Sequence, residues 1–209
     1  MPTRREVLAS LALTAFRPSA GAADREFAGR VEIWEEPHRL ARESAEGYRL
    51  LLRNERRSKS LIIAPAVRHL SLSACKDFRQ RVQAGAMLIL ETGVCFSPRE
   101  EVQRQAEILN AVFDLGVLSP MPACRCEDHS NLYVAYSWPV RCSIRAFETI
   151  TPVHGTASEI IARWHGEPVC VKKTIGQGVI VYLGSMLGPG LFAEEREAHT
   201  VGRTILRSL

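Results

Sequence analysis

Two stretches, SLIIAPAV at 60–67 and MLIL at 87–90, are apolar almost without interruption. Short runs that do not alternate with polar residues predict strands buried on both faces, as in a parallel sheet covered by helices. RVEIW at 30–34 alternates toward a further strand. Between these, Leu40, Ala41, Ala45, Tyr48, Leu51 and Leu52 return to one face at helical spacing, predicting a helix over 40–54. Pro65 is read as the end of its strand. A second helix is predicted over 73–86, with Ser73 as N-cap and Gly85 as its C-terminal signal. Ser97-Pro98-Arg99-Glu100 begins a third, with serine at the N-cap and proline at N1, running to Leu115 and stopping at Gly116.

The second half changes character. NLYVAYSWPV and CSIRAFETI read as strands divided by Pro139. Residues 158–185 read as three short strands joined by the turns His165-Gly166-Glu167-Pro168 and Ile175-Gly176-Gln177-Gly178. Gly188-Pro189-Gly190 reads as a turn, and a last helix covers 194–206. The β-α-β-α-β-α order of the first half predicts an α/β fold: a flavodoxin-like doubly wound parallel sheet with a β-rich C-terminal portion.

Residues 1–23 are not read as part of that fold. Arg4 and Arg5 precede a modestly apolar segment, Val7–Phe16, and a small-residue run, Ala20-Gly21-Ala22-Ala23. A positive start, a short apolar stretch and an A-x-A site make a signal peptide, here of twin-arginine type. The expected organisation is therefore a cleaved segment, 1–23, and one domain, 24–209, in the periplasm or otherwise exported. Cleavage removes three arginines and one glutamate from 27 basic and 23 acidic residues, leaving 24 against 22, a net charge of +2. That balance, with no basic cluster interleaved with aromatics, gives no sign of a nucleic-acid partner. No apolar run reaches the roughly 20 residues of a membrane span.

Candidate chemistry gathers at one strand end. Glu91 closes the 87–90 run, where open α/β sheets bind ligands. It could accept a proton or bind a hydroxyl or amine; it could equally be a paired structural glutamate. Thr92, Gly93 and Ser185 are the other candidate contact residues at this edge. Cys95, two residues past Gly93, is a candidate nucleophile or a small buried cysteine. The cluster CRCEDH brings Cys124, Cys126 and His129 within zinc-ligating range, but Cys-x-Cys is not a zinc-knuckle spacing, and an exported chain uses such cysteines in disulfides. Six cysteines allow 15 connectivities, so no pairing follows. No cofactor is expected.

GEPVCVKKTIGQGVIVYLGS at 166–185, with the element order before it, resembles the class I glutamine amidotransferase-like superfamily. It looks most like the non-catalytic members, such as the trimerisation domains of bacterial β-galactosidases. The resemblance implies a nucleophile elbow at Gly93-Val94-Cys95-Phe96-Ser97, where serine replaces a glycine. It also implies a His-x-Glu base pair after the last strand, where this chain reads Ser185-Met186-Leu187. A cysteine without a base stays mostly protonated at neutral pH. The resemblance therefore implies an exported domain that has lost amidotransferase chemistry and binds a small ligand or a partner protein at the sheet edge. The alternatives are a hydrolase using Cys95, and a structural module that forms homo-oligomers.

Overall fold

The computed structural model describes residues 30–53, 59–92, 97–123, 132–147, 149–154 and 158–208. Residues 1–23, expected to be a signal peptide, and Gly93, Cys95, Cys124, Cys126 and His129 lie outside the described residues.

The two apolar runs form β2 (Leu61–Val67) and β3 (Met87–Thr92), buried along their whole length. They are parallel neighbours. β1 (Val31–Ile33) lies parallel to β2 on one side, and the late strand β12 (Gly178–Leu183) lies parallel to β3 on the other. Period-two alternation then divides the side chains. Leu61, Ile63, Met87, Ile89, Val181 and Leu183 face α1 (Arg39–Leu52) and α5 (Arg196–Arg207). Ile62, Ala64, Leu88, Leu90, Ile180 and Tyr182 face α2 (Leu72–Gln83) and α3 (Arg99–Phe113). Apolar cover on both faces is why these strands carry no polar alternation.

The sheet does not remain parallel. Beyond β12 come β11 (Glu167–Ile175), β10 (Glu159–Trp164), β6 (Tyr133–Tyr136) and β7 (Cys142–Arg145), all antiparallel to their neighbours. The result is one mixed eight-stranded sheet ordered β1-β2-β3-β12-β11-β10-β6-β7. The β-rich C-terminal portion is thus the other half of the same sheet. The turns dictate this: two-residue connections reverse the chain at once, whereas parallel neighbours need a long crossover. His165 and Gly166 both take positive φ, 50° and 85°, as a tight hairpin requires. Two small ladders lie apart from the sheet, β4 (Gly116–Val117) with β9 (Val153–His154) and β5 (Met121–Pro122) with β8 (Thr149–Ile150).

Several local expectations shift. Ser71, not Ser73, caps α2, its hydroxyl accepting the Ala74 N–H at 3.1 Å. Pro98 rather than Ser97 is the N-cap of α3, without a side-chain hydrogen bond. That helix ends at Asp114, in the left-handed region at φ 53°, and Gly116 belongs to β4. Pro65 does not end β2. The strand passes through it with an irregular register between Ala64 and Val67, where Ala66 adopts φ 46°. Gly188-Pro189-Gly190 is not a free turn but the start of a short helix, α4 (Gly188–Phe192).

Candidate functional site

Alternation along β3 decides the direction of Glu91. Met87 and Ile89 face α1, so Glu91, two residues on, projects into the same layer. Its side chain is completely buried. A buried carboxylate is costly unless its oxygens find donors. Four donors meet it here. The Tyr48 hydroxyl of α1 donates to Oε1 at 2.7 Å, as do the N–H groups of Leu187 at 2.8 Å and Gly188 at 2.7 Å. Oε2 accepts the Ala66 N–H at 3.3 Å, and the positive φ at Ala66 belongs to the same irregular strand end. Burial raises the Glu91 pKa above that of an ordinary carboxyl, while these four bonds pull it down. The Tyr48 phenol is raised well above its usual value, first by burial and then by the Glu91 charge.

Glu91 therefore joins β3, the end of β2, α1 and the entry to α4. The carboxylate that the sequence offers to a ligand is committed to internal donors. On the other face of the sheet, under α3, the cavity bordered by Leu90, Thr92, Gln105 and Tyr182 measures about 20 Å³, room for about one water. Thr92 is buried, its hydroxyl 3.3 Å from that of Thr151. Ser185 is also buried.

The same edge is braced again one loop away. Glu36 is nearly buried and accepts the Arg68 and His69 N–H groups at 3.1 and 2.7 Å. Gln105 of α3 holds both backbone groups of Leu70, accepting its N–H at 3.0 Å and donating to its carbonyl at 3.1 Å. Glu101 contacts the His69 ring and has its pKa lowered, chiefly by that hydrogen bond. The segment after β2 is thus held by three side chains, two from α3 and one from the loop between β1 and α1.

Two described cysteines also lie in the core. Burial pushes both the Cys75 and Cys170 thiols up to about 11. Cys170 lies 3.6 Å from the Tyr136 hydroxyl, in the layer that holds Tyr48 and Glu91. Cys75, Cys142 and Cys170 are free thiols. Among the described residues no three His, Cys, Asp or Glu side chains gather as a metal site, and no helix is long and apolar enough to cross a membrane.

No protein-family model and no curated protein matches the chain. The fold nevertheless recurs in solved structures. An exo-β-1,4-mannosidase from Opitutaceae bacterium strain TAV5 superposes with a TM-score of 0.57 at 13% identity, over 87% of this chain and 35% of that one. A β-galactosidase from Bacillus circulans sp. alkalophilus gives 0.55 at 14%, over 85% and 32%. A cytoplasmic protein from Salmonella typhimurium LT2 gives 0.54 at 13%, over 71% of each chain. The chain thus spans about a third of the length of these glycoside hydrolases. Identities this low show a shared fold and no shared activity. The hydrolase neighbours agree with the β-galactosidase side of the sequence resemblance, and the amidotransferase side is not confirmed by them.

Proposed function

We propose that this chain is a non-catalytic module of glutamine amidotransferase-like fold that works by contacting a partner protein or a second copy of itself. One observation carries the reading. The backbone after β12, where an amidotransferase would present its base pair, donates two N–H groups to Glu91. The edge is closed by the protein's own hydrogen bonds, and a ligand seated on Glu91 would have to break them. The parallel half, with α1 on one face and α2 and α3 on the other, supports a doubly wound, flavodoxin-like ancestry for that half. The resemblance to β-galactosidase trimerisation domains supports assembly as the role. The paired arginines, Arg4 and Arg5, support export.

The mature chain should show no glutaminase activity, and iodoacetamide near pH 6 should label Cys95 slowly. Light scattering over a concentration series should reveal self-association, or a monomer that leaves the partner-protein reading. Rapid stoichiometric labelling of Cys95 together with glutamine hydrolysis would replace the proposal with the cysteine-hydrolase alternative. Export is tested separately by a reporter carrying residues 1–30, which Arg4→Lys with Arg5→Lys should retain in the cytoplasm.

A further inference from the structure

A second feature lies away from the sheet edge, where α1 ends against α5. Gly202 of α5 packs on Leu51 of α1; a Cβ there would stand 2.8 Å from a Leu51 methyl. That contact brings the last residues of α1 beside the polar stripe of α5. Arg196, His199, Thr200 and Arg203 recur on that stripe at helical spacing. With Arg53 and Glu194 they border an open cleft of about 500 Å³.

Charge in this cleft is unbalanced. Three guanidinium groups face it against one carboxylate, and among the described residues Arg53, Arg196 and Arg203 form no ion pair. His199 adds a second observation. One ring nitrogen, Nε2, lies 3.0 Å from the Leu191 carbonyl and must donate to it. Nδ1 is then an acceptor, shielded from solvent and without a partner; it can take the hydroxyl hydrogen of hydrogen phosphate but offers nothing to an anionic oxygen.

We propose that this cleft binds a small phosphate-class anion. Guanidinium groups present paired N–H donors in a plane that matches phosphate oxygens, so an arginine cluster without carboxylate partners is suited to one. Arg53 and Arg203 would grip it from opposite helices, with Arg196 behind them and His199 at the floor. Glu194 repels the anion and sets a limit on affinity. This site is independent of the Glu91 brace and of the assembly role, so either can fail without the other.

Inorganic phosphate titrated calorimetrically into the full chain should saturate a single site and bind more weakly as salt is raised. Arg53→Ala and Arg203→Ala should each weaken it about tenfold or more, the loss of a charged hydrogen bond. Arg53→Lys should fall between, and Glu194→Gln should tighten binding. Lys76→Ala, on α2 across the sheet, is the control and should change nothing. Thermal melts confirm that each variant is folded, and the His199 ring resonances should shift on adding phosphate. Non-saturating heat, equal losses in Lys76→Ala and the arginine variants, or binding only to vesicles of anionic phospholipid would each overturn the assignment.

Discussion

Tyr48→Phe removes one oxygen and leaves the ring in place, so it isolates the bond to Glu91. Both partners are completely buried and the hydroxyl stands 2.7 Å from Oε1. A hydrogen bond to a charged group contributes about 1.5–3 kcal/mol. The acceptor is not orphaned by the change, because the Leu187 and Gly188 N–H groups still reach the same oxygen. The expected loss is therefore the bond alone, about 2 kcal/mol. At about 2–4 °C per kcal/mol for a chain of this size, Tm should fall by about 4–8 °C. With a urea slope of about 2 kcal/mol/M, the midpoint should fall by about 1 M. Tyr182→Phe is the matched control. Its hydroxyl is equally buried but meets no charged group, only the neutral Thr92 side chain, so the change should stay below about 1 kcal/mol. Urea unfolding followed by tryptophan fluorescence measures both. Equal losses in the two variants, or a Tyr48→Phe midpoint matching the wild type, would show that Glu91 is not held as described.

Gly188→Ala tests the helix contact that supports the same carboxylate. A Cβ there would stand 2.7 Å from the Ser44 Cα, which is backbone and cannot yield cheaply. A cost of about 1–3 kcal/mol is expected from overpacking, read as a lowered Tm; an unchanged melt would mean that α1 and α4 are not in contact. Cys75 and Cys170, both buried and raised to about 11, should resist a thiol reagent at pH 8 until the chain is unfolded. Fast labelling of either in the native protein would contradict their burial.

The strands were legible because their burial is two-sided and therefore written as unbroken apolar runs. The hairpins at 165–166 and 175–178 were legible because turn residues announce them. The cap of α2 was not: Ser71 and Ser73 are both plausible N-caps, and only the direction of the entering chain selects Ser71. Glu91 was visible as a polar residue closing an apolar strand, but its role depends on Tyr48 and on backbone donors 96 and 97 residues away, which no local pattern encodes. Gln105 did leave a trace. It sits between Val102 and Leu109 at the spacing of the apolar face of α3, and a polar residue there signals a buried brace. The phosphate cleft left little, since Arg53 and Arg203 become neighbours only once α1 and α5 have packed.

The placement of β12 has a consequence for how the chain acquires its structure. β12 is the last strand synthesised, yet it stands inside the sheet, with β3 on one side and β11 on the other. Its pairing with β3 joins residues 87–91 to 179–183, closing a loop of some ninety residues. Contacts of such sequence separation form slowly, after the local hairpins that reward the chain early. During synthesis the edge of β3 stays open until residues 179–183 have emerged, exposing an apolar strand that is prone to wrong pairing. Strand β12 thus acts as the keystone of a nascent chain: a ribosome stalled before it would hold two unfinished half-sheets and no completed core.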